Sequence, residues 1–209
     1  MTITYFGYGS LVNIDTIPAA TQVVPGVLHG WRREWKVCGE GEDGLGRCAL
    51  SVREDEGSEI RGVMAREPRA GLKKLELREQ RYHKVEGIGA AFRCDAAHQP
   101  GAGDMFLFRA SPDHHRWGTD SHPILQSYLD CVLAGYYRIW GEEGIDHFIR
   151  TTDGWHVPVL QDRDSPRYPR KIVPDPDLAC LIDRKLAALA VRYLTAEDQR
   201  RETVSEMRS

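Results

Sequence analysis

The chain sorts its secondary-structure signals by kind: short β-like runs crowd the first half, and helical spacing takes over from Pro123. Residues 3–8, 26–31, 35–38, 48–52 and 60–65 are each a few residues long, rich in β-branched and aromatic side chains, and bounded by glycine or charge, as strands are. Two further strands are expected around 84–86 and 105–108. One helix interrupts them, over 70–82, where Leu72, Leu75, Glu79 and Tyr82 recur at three- or four-residue spacing and share a face. Beyond Pro123, the run ILQSYLDCVLAGYYRIW has helical spacing with Gly141 as its stop. A short helix over 143–149 and a last one over 176–194, with Asp177 as its cap, complete the set. The proline-spaced segment 162–174 reads as a surface loop, and residues 195–209 as a frayed helix or a loose tail. Strands grouped ahead of helices indicate an α+β protein and exclude the alternating order of a dinucleotide-binding domain.

At 209 residues the chain is sized for one domain, 1–209. Its 28 basic and 31 acidic residues give a net charge of −3, so no basic field exists to attract nucleic acid or an acidic membrane. Five cysteines, widely spread and without a CxxC pair, fit reduced thiols better than disulfides or zinc ligands. No basic leader followed by an apolar core precedes the first strand, and no apolar run is long enough to span a bilayer. These features predict a cytoplasmic chain with small molecules or proteins as partners.

The first strand runs into FGYGSLVN, in which Gly7, Gly9 and Ser10 form a glycine-rich turn. Such a turn either aims backbone N–H groups at a ligand or is simply a tight turn. A dinucleotide fingerprint needs a third glycine where Val12 stands, and a phosphate loop needs a lysine followed by serine or threonine, which is absent here. Glu79 is the second irregularity, a carboxylate on the apolar face of its helix; most helical glutamates pair with a nearby cation at the surface instead.

Together, Tyr8-Gly9-Ser10-Leu11 behind an N-terminal strand and Leu77-Arg78-Glu79-Gln80-Arg81-Tyr82 after a β-rich segment resemble the γ-glutamylcyclotransferase superfamily, including its ChaC-type and AIG2-like branches. The similarity covers most of the first half of the chain and is loose beyond it. It implies a small mixed β-barrel with flanking helices and a mainly helical C-terminal half. It also implies Glu79 as the catalytic acid/base, with Tyr8, Gly9, Ser10 and Leu11 as the substrate-binding loop. Tyr82, one turn on, is a further candidate contact. The implied substrate is a small γ-glutamyl compound, cleaved without metal or organic cofactor. Asn13 stands where the ChaC branch usually has tryptophan.

The implied reaction explains why no nucleophile–base pair is needed. The substrate's own α-amine attacks the γ-carbonyl and closes the ring of 5-oxoproline. A desolvated glutamate suits the two proton transfers, and loop amides suit either the developing oxyanion or the substrate carboxylate. The non-catalytic alternative is an AIG2-like binding protein with the same pocket. Elsewhere, His114, His115 and His122 lack a Cys or carboxylate at ligand spacing, and Tyr128, Tyr136, Tyr137 and Trp140 read as packing. Arg163, Arg167 and Arg170 form a basic loop that is either solvated or steers an anionic substrate.

Overall fold

Two long antiparallel strands carry the architecture in the computed structural model, which describes residues 2–206. Strand β2, Gln22–Glu40, pairs with β3, Gly46–Pro68, from Gln22↔Arg66 to Glu40↔Gly46. Each joins two of the short runs expected from sequence. The joins survive because the breaks in pattern are irregularities within the strand: register shifts fall between His29 and Trp31 and between Trp35 and Val37. Gly30, inside the first, has φ +78°, which glycine takes without a Cβ clash, so the strand bends there and continues.

Strand β1, Thr2–Gly7, lies antiparallel on the C-terminal length of β3. Helix α1, Leu72–Arg78, follows β3 and leads to β4, Tyr82–Glu86. After β5, Phe92–Arg93, comes β6, Phe106–Ala110, which pairs parallel with β1 and antiparallel with β4. The N-terminal end of β3 takes β7, Ile124–Leu125. Helix α2 spans Gln126–Arg150, and β8, Thr152–Asp153, and β9, Val159–Leu160, follow it. Helix α3, Pro176–Ala188, then precedes β10, Tyr193–Leu194, and α4, Ala196–Glu206. The free edge of β2 is shared by β5 and β8.

The mixed α+β class with flanking helices is as expected, but the ten-stranded sheet is open, running β10-β9-β7-β3-β1-β6-β4 with β2 on a branch. The expected closed barrel is corrected for a physical reason. β3 gives different lengths of one edge to β1 and β7, so the sheet forks at its longest strands and β4 does not meet β5.

Helix α2 packs beneath the sheet with Tyr128, Leu129, Cys131, Val132, Leu133 and Tyr136 buried. Trp35 meets Tyr128, Phe148 and Trp155 edge-on at the centre. At Gly141 (φ 64°, ψ −155°) the helix breaks into two lengths, matching the expected stop and the short helix after it. Helix α3 is shorter than expected and is capped by Asp175, whose Oδ1 accepts from the Leu178 N–H at 2.9 Å, rather than by Asp177. Pro176 fills its first position, where a missing N–H costs nothing. Residues 196–206 are helical, and buried Gln199 donates to the carbonyls of Gly46 (2.7 Å) and Ser121 (3.0 Å). Among the described residues, no helix is long and apolar enough to cross a membrane.

Candidate active site

β1 ends at Gly7, and a 3-10 turn over Ser10–Val12 begins behind Gly9. The loop between them is fixed from beneath. Arg33, 0% exposed, donates from Nε to the Tyr8 carbonyl (3.1 Å) and from its terminal nitrogens to Thr151 Oγ1 (2.7 Å), Tyr136 Oη (2.6 Å) and the Arg61 carbonyl. Tyr136 Oη also bonds the Tyr8 carbonyl, at 2.9 Å. The Tyr8–Gly9 peptide plane is therefore held by two buried donors. The Tyr8 hydroxyl donates to the Phe108 carbonyl at 2.5 Å, which ties the loop to β6. The N–H groups of Gly9, Ser10 and Leu11 donate to no group among the described residues, as expected at the start of a helical turn.

Two glycines permit this packing. A Cβ on Gly9 would sit 3.1 Å from Tyr128 Oη, and one on Gly135 of α2 would sit 2.6 Å from the Asn13 amide nitrogen. Backbone thus approaches backbone where α2 passes the loop. Asn13 is buried, donates to the Cys131 carbonyl at 3.1 Å and accepts from the Asp15 N–H at 3.2 Å, so it holds the loop's exit.

Glu79 is not on a helix face. Helix α1 has only seven residues, and the Glu79 N–H makes its last bond, to the Leu75 carbonyl at 3.0 Å. Glu79 then leaves helical geometry (φ −103°, ψ 30°), and a turn from Tyr82 N–H to the Glu79 carbonyl, 2.9 Å, carries the chain into β4. The expected helix over 70–82 is corrected accordingly: Tyr82 is the first residue of a strand, paired with Ala110. Placing Glu79 at the helix end swings its carboxyl toward the loop.

Tyr8, Gly9, Ser10, Leu11, Glu79 and Tyr82 come together around one cavity of about 470 Å³. Glu79 is 13% exposed and its oxygens accept no hydrogen bond from the described residues. Arg78 Nε lies 3.3 Å from Glu79 Oε1, an ion contact without hydrogen-bond geometry. Burial pushes the Glu79 carboxyl up from its ordinary range, and the charges of Arg78 and Arg170 pull against that shift. Arg78 also reaches the Thr16 carbonyl (2.7 Å) and Ser10 Oγ (3.0 Å), which ties the end of α1 beside Glu79 to the loop. The Tyr82 hydroxyl donates to the Leu50 carbonyl at 2.9 Å, and burial pushes its pKa well above a free phenol's. It forms a wall of the cavity rather than a proton donor to its contents.

Sequence reasoning missed Arg33, Tyr136 and Arg78 as supports, and Tyr128, Tyr168 and Arg170 as walls. The loop that carries Tyr168 and Arg170 is drawn in by Asp162, which accepts from Ser127 N–H (2.7 Å), Ser127 Oγ (2.6 Å) and Arg167 N–H (2.9 Å). The histidines lie elsewhere: His115 Nε2 is 2.6 Å from buried Glu34, His114 Nδ1 is 3.1 Å from the Cys38 carbonyl, and His122 Nδ1 is 2.9 Å from Ser121 Oγ.

No protein-family model matches the sequence, and no curated protein matches it. Solved structures do. A protein described as "Gamma-glutamyl cyclotransferase" superposes with a TM-score of 0.55 at 12% identity, covering 88% of this chain and 99% of that one. The chain has the γ-glutamylcyclotransferase-like fold. An uncharacterized protein from Homo sapiens matches at a TM-score of 0.52 and 12% identity, over 87% of this chain and 98% of its own. YkqA from Bacillus subtilis matches at 0.50 and 19%, over 73% of this chain and 56% of that one. In this γ-glutamylcyclotransferase-like fold, the unbonded loop amides and an underbonded carboxylate share one cavity. That arrangement can bind an anion and move a proton beside it.

Proposed function

We propose that the protein is a γ-glutamylcyclotransferase-type enzyme acting on a small γ-glutamyl amide. The substrate's α-amine attacks the γ-carbonyl carbon, the bond from that carbon to the leaving nitrogen breaks, and 5-oxoproline and a free amine or amino acid depart. The observation that carries the reading is Glu79: a carboxylate 13% exposed, in ion contact with Arg78 and without a hydrogen-bond donor among the described residues, in the same cavity as unbonded loop amides. A carboxyl pushed up by burial, touched by a single cation and facing a cavity, is the kind of perturbed group that marks a functional site.

The chemistry makes modest demands. Ring closure is intramolecular, and well-oriented closures of this kind reach effective molarities on the order of 10⁵–10⁸ M. An α-amino group with a pKa of roughly 7.7–8.0 is mostly protonated near neutral pH, so a base must take its proton before it can attack. Glu79, pushed up by burial, is suited to accept that proton and return one to the leaving nitrogen. The oxygen of the tetrahedral intermediate gains charge, and each preset backbone donor is worth about 3–4 kcal/mol there.

Turnover of γ-glutamyl peptides, amino acids and amines in ¹⁸O-labelled water tests the reading. Cyclisation releases 5-oxoproline without label, because the carbonyl oxygen is the substrate's own. Labelled glutamate, or binding without any product, overturns it.

A further inference from the structure

Among the described residues, Arg170 makes no ion pair. Its Nε donates to Tyr168 Oη at 3.1 Å and its guanidinium lies over the Tyr168 ring, 5.1 Å from the centroid. Its two terminal nitrogens donate to no group, and no carboxylate pairs with it among the described residues. The other arginines of the same loop differ. Arg163 grips Asp130 (2.7 Å) and Asp183 (2.8 Å), and Arg167 grips Asp43 (2.7 Å) and Gln199 (2.6 Å). Arg170 also lines the cavity that holds Glu79 and the glycine loop.

Its mounting is rigid. Tyr168 is 7% exposed, packs edge-on against Tyr128 with centroids 5.0 Å apart, and donates its backbone N–H to Ser127 Oγ at 3.2 Å. Ser127 is itself clamped by Asp162. A planar guanidinium fixed on a buried ring, with its outer fork free, is suited to bidentate capture of a carboxylate.

Charge and connectivity say which carboxylate. The cavity lining carries Arg47, Arg78, Arg81 and Arg170 against Glu40, Glu42 and Glu79, one cation in excess. Arg170 is near enough for its charge to act on the Glu79 carboxyl. A γ-glutamyl group bears its α-carboxylate on the same carbon as the amine that must meet Glu79, and its developing oxyanion lies across the forming ring. Two separate anions therefore need two receptors.

We propose that Arg170 holds the α-carboxylate of the γ-glutamyl group, leaving the Gly9–Leu11 amides to the oxyanion formed at the γ-carbonyl. This rests on the cyclotransferase reading of the same cavity. Arg170 is a specificity-determining residue in this scheme: it selects substrates with a free carboxylate beside the α-amine.

The test compares a γ-glutamyl amide turned over by the wild type with the same compound whose α-carboxylate is converted to a carboxamide. The kinetics are run on wild type, Arg170→Gln and Arg170→Lys. Loss of a charge-assisted contact at a partly exposed site predicts a roughly 10- to 100-fold fall in kcat/KM for the carboxylate substrate in Arg170→Gln, mainly through KM. The carboxamide compound loses little in the same variant, and Arg170→Lys recovers part of the difference. Intrinsic reactivity differences between the two compounds cancel in this comparison. Equal losses for both compounds, or no loss for either, overturn the assignment of Arg170 while leaving the cyclotransferase reading in place. Absence of cyclised product from the wild type with every γ-glutamyl amide overturns that reading, and this one with it.

Discussion

Arg78 and Glu79 are sequence neighbours whose side chains meet, Nε to Oε1 at 3.3 Å, because the helix ends between them. The same guanidinium bonds Ser10 and Thr16, so one side chain spans Glu79 and the loop. Arg78 opposes the upward push of burial on Glu79. Replacing it with Gln lets the Glu79 carboxyl rise further, so a larger fraction is protonated at a given pH. The acid limb of the kcat/KM profile then moves to higher pH, with activity on the acid side down roughly tenfold. An unmoved acid limb would separate Arg78 from the base.

A side chain at Gly9 crowds the loop. A Cβ there meets Tyr128 Oη at 3.1 Å and Leu50 Cδ1 at 3.4 Å, tight enough to displace the amides by a few tenths of an ångström. Gly9→Ala is expected to lower kcat by about 10- to 100-fold with an unchanged melting temperature, because misplacement rather than unfolding is the fault. Full activity in this variant would show that the loop amides need no fixed position.

Tyr136 supports the same loop from within the core, accepting from Arg33 at 2.6 Å and bonding the carbonyls of Tyr8 (2.9 Å) and Arg61 (2.8 Å). Tyr136→Phe leaves a buried charge one acceptor short and should cost about 1–3 kcal/mol in denaturant unfolding.

Some of this was legible in the sequence and some was not, for reasons that differ by residue. The glycine loop and Glu79 were visible because their chemistry is written in short contiguous strings. The length of β2 was hidden because a bulge at Gly30 breaks the alternation without ending the strand. The end of α1 was hidden because Glu79 leaves helical geometry with no glycine or proline to mark it. Tyr168 and Arg170 were noticed only as part of a basic loop. What brings them to the cavity is a set of bonds between Asp162 and Ser127, 35 positions apart, which no local pattern encodes.

Stability should carry its own pH signature through His147. Its Nε2 accepts the Arg61 N–H at 3.1 Å, and burial, together with Arg33, Arg61 and Arg150, holds its pKa down at about 4. The unfolded chain binds the proton at an ordinary histidine pKa of about 6.5, so this contribution is complete above that value and is lost as pH falls toward 4. The loss is on the order of 2–3 kcal/mol. Unfolding free energies from pH 7 to 4 should fall by that amount in the wild type, and His147→Gln should flatten this part of the curve.

The role of Glu79 is tested most directly by 5-oxoproline release from wild type and Glu79→Gln, assayed in parallel on the same γ-glutamyl compounds. Burial disfavours the charged carboxyl, so its contribution to stability is present below the ordinary carboxylate range and lost as pH rises. The Gln variant should therefore be folded and no less stable at neutral pH. Product is expected from the wild type, with a loss of about 10²-fold or more in the variant. Equal turnover by both proteins would contradict that role.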